Sequence, residues 1–454
     1  MEQSEPRSTE DDMQATTPTP TAEGHDRITT KPHALAPSWG VVTAVVLGNG
    51  LEFFDFTVYS FFASIIGKLY FPSHVPLISL LAAVGTFGIG FLLRPLGAMV
   101  LGGYADRHGR KKAMNLTILL MAAGTGLIGF APTYASIGLA APAIILFARM
   151  LQGFSAGGEV GTAGAYLVEH APPGRRGLQS SWLLAGAGGA ILLGAGLGAA
   201  LSTVLSQQAL ESWGWRVPFI VGLLIGPVGA YIRRYLGETL PEEAHGRHAR
   251  NAPLRELFRN HLRTVLAVSS VAAVGTSATY VLMYYMPTYA TRSLGLPMST
   301  ALLSSCLAGL MMLVLCPVAG MICDRIGRKR AIAIGVVAMA VLIYPSFMLL
   351  KAFPRIEVLL GVMSALVCIY VVFAVPQITL MAEQFPQSVR ASGMSIVYAI
   401  AVAIFGGFSQ LFVTLLIAWT GSALAPAGYL LVLSLISLLA LFFVKEAQGQ
   451  LDVA

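Results

Sequence analysis

The sequence predicts an all-α membrane protein with twelve transmembrane helices arranged in two six-helix halves. Of its 454 residues, 56% are hydrophobic and only 11% are charged, whereas soluble domains carry about 25% charged residues. Twelve apolar runs of roughly 18 or more residues recur along the chain, and each is long enough to cross about 30 Å of hydrocarbon as a helix. Because the runs are apolar nearly all round rather than alternating, they favour helices over the strands of a barrel.

Composition shifts divide the chain into five parts. The N-terminal stretch is polar and acidic with a Thr/Pro run at 16–21, which is typical of a disordered segment. A second polar stretch separates the sixth apolar run from the seventh. The predicted parts are a cytoplasmic tail over 1–37, a first six-helix bundle over 38–236, a cytoplasmic linker over 237–261, a second six-helix bundle over 262–445 and a cytoplasmic tail over 446–454.

The placement of positive charge predicts the orientation. Tails and loops on one side of the predicted helices hold 22 of the 29 Lys and Arg residues, whereas loops on the other side hold five. Basic residues concentrate on the cytoplasmic side of membrane proteins, so both termini are expected in the cytoplasm. The net charge of +7 therefore reflects topology, and no nucleic acid partner is expected. The four cysteines show no metal-ligand spacing, and no metal or cofactor is expected.

Two motifs occur twice at a nearly constant offset. The run GGYADRHGRK starts at Gly102, and GMICDRIGRK starts at Gly320, so that Asp106 and Asp324 lie 218 residues apart. In a second pair, Glu169 and Glu383 are each followed by Pro three residues on and by Arg seven residues on, with an offset of 214. The repeats predict two matching halves.

The duplicated loop resembles the signature of the major facilitator superfamily, and further stretches resemble its metabolite–proton symporter family. These are GNGLEFFDF (48–56), RPLG (94–97), RMLQGFSAGGE (149–159), WGWRVPF (213–219) and FGG (405–407). The resemblance implies the major facilitator fold and a bacterial inner-membrane protein, expected as a monomer, that imports a small organic anion with protons by alternating access. IGLAAPA (137–143) and AIFGG (403–407) look most similar to citrate-type members, which favours a di- or tricarboxylate.

Other functions stay open at this stage. The family also includes importers of shikimate, proline or betaine. A proton-coupled drug antiporter is the main transporter alternative, although the fifth apolar run, 180–205, lacks the proline that such antiporters usually carry there. An enzyme is not expected, because the sequence offers neither a metal-ligand cluster nor a Ser/His/Asp set nor a phosphate-binding loop. A sensor would carry a longer soluble region.

Three carboxylates fall deep within apolar segments. A charge inside a bilayer helix costs at least about 2.5–3.5 kcal/mol, so it needs a reason to be there. Glu52 and Asp55 lie in the first segment and Glu159 in the fourth. Asp55 is near mid-segment, which suits a group that takes a proton from one side and releases it to the other. We predict that all three couple transport to protons; the alternative for each is a structural ion pair.

Two basic residues also fall within predicted helices, Arg94 and Arg149. A guanidinium can hold a carboxylate through two parallel hydrogen bonds, and we predict that both arginines bind substrate. For Arg94 the sequence leaves a substrate carboxylate and Asp55 open as partners; for Arg149 the alternative is a contact at a helix end. The other predicted substrate-binding residues are polar groups on nearby predicted helix faces: Asn49, Tyr59, Gln152, Tyr284, Gln377 and Tyr398.

The duplicated loops are predicted to set the balance between outward-open and inward-open states. The resemblance implies that the aspartate of each copy is held by the positive N-terminus of a helix in the opposite half. The second motif pair resembles a companion charge relay. The predicted gating residues are Gly102, Asp106, Arg107, Gly109, Arg110, Glu169, Arg176, Asp324, Arg325, Gly327, Arg328, Glu383 and Arg390.

Overall fold

Helices follow one another through the chain, separated by short turns. The computed structural model describes residues 39–108, 110–223, 261–386 and 390–446. The helices of the first half are α1 Trp39–Phe61, α2 Ala63–Tyr70, α3 Pro76–Leu92, α4 Arg94–His108, α5 Arg110–Phe130, α6 Tyr134–Ile137, α7 Ala140–Ser155, α8 Glu159–Glu169, α9 Arg176–Val204, α10 Gln207–Ser212 and α11 over 217–223. Those of the second half are α12 Leu262–Ala278, α13 Met286–Ser293, α14 Met298–Ile326, α15 Arg328–Ala352, α16 Ile356–Glu383, α17 Arg390–Ala401, α18 Ser409–Thr420 and α19 Ala425–Leu441.

Length and composition identify membrane spans among these helices. Within the described ranges, seven helical stretches are long and apolar enough to cross a bilayer, the first being Pro76–Leu101 and the last Gly393–Thr420. Helix also covers the other predicted segments as far as they are described, the sixth only over 217–223. The all-helical membrane fold is therefore confirmed, whereas the full count of twelve spans and the five-part division stay predictions.

The outer surface of the bundle is apolar, as a lipid-facing surface has to be. Leu119, Leu193, Val341 and Leu439 are all more than 60% exposed. Polar side chains such as Gln152 lie instead in the interior, where other protein groups can satisfy them. This distribution is the reverse of that in a soluble protein and fits a bundle immersed in hydrocarbon.

Glycines bring the second and fourth spans into backbone contact. A Cβ atom on Gly153 would overlap the carbonyl oxygen of Gly90, and one on Gly97 would overlap that of Phe154. A Cβ atom on Gly157 would likewise overlap the carbonyl oxygen of Arg94. Small residues permit such close packing between membrane helices. This contact holds α3 and α4 against α7.

Glycines also line the contact between the two halves. A Cβ atom on Gly188 of α9 would lie 2.8 Å from the carbonyl oxygen of Gly309 in α14, and one on Gly309 would lie 2.7 Å from that of Gly188. The glycine-rich stretch of α9 around Gly188 therefore packs closely against the second half.

Two π-helical segments interrupt spans of the second half. Thr279–Tyr285 joins α12 to α13, and Val402–Gly407 joins α17 to α18. Such bulges are frequent at functional sites, because the extra residue re-aims the side chains around it. Tyr280 and Tyr284 lie in the first segment, buried and facing the first half through the contacts described below.

We expect Gly153→Ala to destabilise the protein by about 1–3 kcal/mol, the usual cost of forcing extra volume into a packed interior. The midpoint of thermal unfolding of the purified protein in detergent measures the effect. Gly196→Ala is the matched control, because a Cβ atom on Gly196 meets nothing within 4 Å. Equal midpoints for the two variants would contradict the packing interpretation.

Candidate functional site

Arg94 forms a buried ion pair with Glu52 at the centre of the first half. Its Nη2 atom lies 2.8 Å from Glu52 Oε1, and both side chains are at most 3% exposed. The guanidinium carbon also lies 4.4 Å from the ring centroid of Phe91 and 4.9 Å from that of Phe56. The sequence left a substrate carboxylate and Asp55 open as partners of Arg94. The structure pairs it with Glu52 rather than Asp55, and a contact of Arg94 with substrate stays a prediction.

Arg149 lies among aromatic rings and is fully buried. Its guanidinium carbon lies 4.8, 4.5 and 4.7 Å from the ring centroids of Phe56, Tyr59 and Phe87. Its Nη1 atom donates a hydrogen bond to Gln152 Oε1 at 2.6 Å. Among the described residues, Nε and Nη2 have no hydrogen-bond partner. One edge of this guanidinium is therefore available to a ligand.

A chain of hydrogen bonds connects Asp55 with Arg149. The hydroxyl of Thr125 in α5 donates to Asp55 Oδ2. Gln152 Nε2 donates to the same hydroxyl at 2.9 Å, while Gln152 Oε1 accepts from Arg149. Three helices, α1, α5 and α7, thus contribute to one buried network. Sequence reasoning missed Thr125, because nothing in the pattern of the third span distinguishes it.

Other predicted substrate residues have partners in the protein backbone. Asn49 Nδ2 donates to the carbonyl of Leu183 at 3.3 Å, and the Tyr59 hydroxyl donates to the carbonyl of Ala83 at 3.1 Å. Gln377 Nε2 donates to the carbonyl of Val271 at 2.8 Å. Each contact holds two helices together, and a contact of these side chains with a solute stays a prediction.

Tyrosines of the second half face the buried arginines. The Tyr280 ring centroid lies 5.5 Å from that of Phe91 and 5.1 Å from that of Tyr284. Tyr280, Tyr284 and Tyr398 all interact electrostatically with Arg94. The predicted residues Tyr284 and Tyr398 are therefore brought to the same site as Arg94, and Tyr280 joins them. The second half closes the site with rings and hydroxyl groups.

Some predicted residues cannot be placed. Glu159 is the first residue of α8, but its side chain lies outside the described part of the structure. The same holds for the side chains of Asp106, Arg107 and Arg110, and Gly109 lies outside the described residues altogether. Gly102 lies within α4. The predictions on these residues therefore stay open.

At one end of the bundle, which we call the motif end, Asp324 connects the two halves. Its Oδ1 and Oδ2 atoms accept hydrogen bonds from the backbone N–H groups of Gly177 at 2.8 Å and Leu178 at 2.9 Å. Both donors belong to the first turn of α9, whose N-terminus carries partial positive charge. A Cβ atom on Gly320 would lie 2.6 Å from the carbonyl oxygen of Gly177, so the first glycine of the motif permits this close approach.

In the second motif pair, ion pairs connect one copy to the other. Arg390 Nη1 lies 3.1 Å from Glu169 Oε1, and Arg176 Nη1 lies 3.9 Å from Glu383 Oε1. Arg328 holds Glu383 through two hydrogen bonds of 3.1 and 3.2 Å. Each cross pair joins a residue of the first half to a residue of the second. Ion pairs therefore connect the two halves at the motif end.

Other residues at the motif end terminate α14 and bind the segment that follows α19. Arg325 lies in the final turn of α14, and Gly327 follows it with a φ of +92°, a conformation that favours glycine. Lys329 Nζ donates to the carbonyl of Val444 at 2.7 Å, and Gln384 Nε2 donates to that of Lys445 at 2.7 Å. The chain beyond α19 is thus tied to the motif end.

The halves also meet at the opposite end. Gln410 Nε2 donates to Ser60 Oγ at 2.7 Å, and Arg292 Nη2 donates to Ser64 Oγ at 3.0 Å. With contacts on both sides, the central charges are enclosed: Asp55 is 5% exposed and Arg149 is 0% exposed. The structure therefore shows the site closed at both ends.

Known proteins provide a comparison for this geometry. The chain is 38% identical over 405 residues to a citrate-proton symporter of Klebsiella pneumoniae, covering 88% of this chain and 90% of the relative. It is 35% identical to a glycine betaine/proline/ectoine/pipecolic acid transporter of Dickeya dadantii, covering 90% and 83% of the two chains. Relatives with different solutes thus show similar identity.

Fold and family are consistent across the comparisons. A crystal structure of a D-xylose-proton symporter superimposes with a TM-score of 0.71 over 90% of this chain and 99% of the other, at 19% identity, which shows the fold alone. The model of the Major Facilitator Superfamily matches residues 45–408. The protein is therefore a multi-pass membrane transporter rather than an enzyme, and it belongs to the Major Facilitator Superfamily.

Proposed function

We propose that the protein is a proton-coupled symporter that imports a small organic anion, a di- or tricarboxylate such as citrate, across the bacterial inner membrane. The observation that carries this proposal is Arg149, a fully buried guanidinium whose Nε and Nη2 atoms have no partner among the described residues. Because a buried charged donor left unpaired is costly, an anionic ligand is the natural partner of this edge.

The geometry of the arginine favours a carboxylate. Nε and Nη2 lie on one edge of the guanidinium plane, and two such donors match the two oxygens of a carboxylate. Tyr59, Phe56 and Phe87 hold the plane in position. The guanidinium therefore needs little reorganisation to bind the anion.

The aromatic rings argue against a betaine as the solute. A quaternary ammonium is recognised by the faces of aromatic rings. Around this site, the rings of Phe56, Tyr59, Phe87 and Phe91 already stack on the guanidinium groups of Arg94 and Arg149. A citrate-type solute, as for the relative from Klebsiella pneumoniae, therefore fits better than a betaine.

Asp55 is the proposed proton carrier. Glu52 already has a permanent cation beside it in Arg94, whereas Asp55 has the Thr125 hydroxyl on Oδ2 and, among the described residues, nothing on Oδ1. Asp55 can therefore change its protonation state without breaking an ion pair. Glu52 becomes the partner that keeps Arg94 in place, and Glu159 is proposed as a second proton-coupling group.

Alternating access would proceed from the closed form described here. Opening at the motif end has to break the hydrogen bonds of Asp324 and the two cross pairs; opening at the other end has to break the Gln410–Ser60 and Arg292–Ser64 contacts. We propose that the motif end faces the cytoplasm together with both termini, and that a single chain suffices for transport.

The first test is uptake of radiolabelled citrate into proteoliposomes under an inward-directed pH gradient. We expect the wild type to accumulate citrate and Arg149→Gln to lose at least tenfold in uptake, because removing one partner of a buried charge pair costs several kcal/mol. Arg355→Gln, which makes the same charge change on an exposed loop residue, is the matched control. Wild-type protein that accumulates betaine but not citrate would refute the carboxylate assignment.

Asp55→Asn should abolish accumulation driven by the pH gradient while leaving citrate counterflow, which needs no net proton movement. Glu159→Gln is expected to behave in the same way. Accumulation and counterflow are measured side by side in the same proteoliposomes. Glu357→Gln, at an exposed helix start, is the control. Full gradient-driven uptake by both carboxylate variants would remove these residues from the coupling mechanism.

Asp324→Asn should open the motif end more often, because the amide loses the charge that the α9 N-terminus stabilises. Cys323, which is fully buried beside Asp324, supplies the probe once the other three cysteines are replaced by serine. We expect roughly tenfold faster labelling of Cys323 by a water-soluble maleimide, since a charge-assisted hydrogen bond contributes about 1.5–3 kcal/mol. Unchanged labelling would argue against a role of Asp324 in holding the motif end closed. Glu357→Gln is the charge-matched control.

A further inference from the structure

We propose that Thr125 and Gln152 are positioning residues that transmit the protonation state of Asp55 to Arg149, so that proton binding prepares the arginine for its anion. The inference rests on the proposed proton-coupled function and specifies the hydrogen bonds that would couple Asp55 to Arg149. Asp55 belongs to α1, Thr125 to α5, and Gln152 and Arg149 to α7. All four side chains are at most 5% exposed.

The Thr125 hydroxyl has two possible acceptors for its single proton. One is Asp55 Oδ2, and the other is the carbonyl oxygen of Met121, 3.0 Å away. Gln152 Nε2 donates to the same oxygen at 2.9 Å. A hydroxyl offers one proton and two lone pairs, so one lone pair is used by Gln152 and the other remains.

The donors and acceptors of this hydrogen-bonded chain have partners in both protonation states of Asp55. When Asp55 is ionised, Thr125 donates to its Oδ2 atom. When Asp55 takes a proton on Oδ2, the acid O–H donates to the remaining lone pair of Thr125, and the threonine proton turns to the Met121 carbonyl. The hydrogen bond between Asp55 and Thr125 reverses its direction, while no group in the chain loses its partner.

The amide of Gln152 has only one orientation in this chain. Arg149 has donors and no acceptor, so Gln152 Oε1 has to face Arg149 Nη1 and Nε2 has to face Thr125. Turning the amide would set its NH2 group against Arg149 and break the bond that holds the guanidinium. A change in the polarity of the Thr125 hydroxyl therefore alters a bond that holds Arg149, and hydrogen-bonded chains pass such polarisation on.

The charged groups around Asp55 determine which of its protonation states favours binding of the anion. Arg149 interacts electrostatically with Asp55, whereas Arg94 is paired with Glu52, which lies on the same helix as Asp55. On α11, Gly222 comes close to Asp55, and a Cβ atom there would lie 2.7 Å from Asp55 Oδ1. Protonation of Asp55 thus removes the carboxylate charge that balances Arg149, and an anionic carboxylate from outside can replace it.

Thr125→Val and Thr125→Ser, reconstituted with radiolabelled citrate, test the inference. Valine keeps the branched shape without the hydroxyl; serine keeps the hydroxyl. We expect Thr125→Val to lose at least tenfold more in pH-driven accumulation than in citrate counterflow, and its citrate affinity to lose the pH dependence of the wild type. Thr125→Ser should restore both. Thr125→Ala gives the same test if valine prevents folding.

Four results would overturn the inference. Wild-type accumulation by Thr125→Val would show that the hydroxyl does not transmit protonation. Loss of counterflow together with accumulation, or a serine variant as defective as valine, would assign Thr125 a packing role alone. Absence of citrate counterflow in the wild type would instead refute the proposed function, and the inference with it, so the two failures are distinguishable.

Discussion

Two guanidinium groups, those of Arg94 and Arg149, lie where neither water nor lipid can solvate them. A charge in that position costs several kcal/mol unless the protein surrounds it with partners. The first half supplies them: Glu52 pairs with Arg94, Gln152 with Arg149, and aromatic rings stack on both. The glycine contacts between α3, α4 and α7 bring the two arginines into one site. Much of the packing of this half follows from the need to bury these cations.

Apolar runs, charge placement and duplicated loops were sufficient to predict a membrane bundle of two related halves, because each is a local property of the sequence. The choice of partners was not predictable in the same way. Arg94 pairs with Glu52 and not with Asp55, which depends on how α1 crosses α4. Thr125 was not predictable from the sequence, because a threonine in an apolar helix can satisfy its hydroxyl on the preceding turn of its own helix. Here the acceptor in that turn is the Met121 carbonyl. The repeats predicted companion charges, but not that they pair between the copies.

The halves contribute different chemistry to the enclosed site. Ionisable groups come from the first half, whereas the second brings Tyr280, Tyr284 and Tyr398. Two of these tyrosines lie in a π-helical segment, and the second such segment, Val402–Gly407, follows Tyr398 within the same span. The second half thus brings two of its tyrosines to the site on a π-helical segment, whereas Glu52, Asp55 and Arg149 of the first half lie on α-helices.

The hydrogen bonds between the motif end and the segment after the last helix offer a way to observe opening. Lys329 and Gln384 hold the backbone of Val444 and Lys445, and Phe443 just before them is 80% exposed. A fluorescent dye on a cysteine introduced by Phe443→Cys would therefore lie next to the charged network without replacing any member of it. Paired with a second dye on the first half, it would let single-molecule distance measurements follow how often each reconstituted transporter opens on that face.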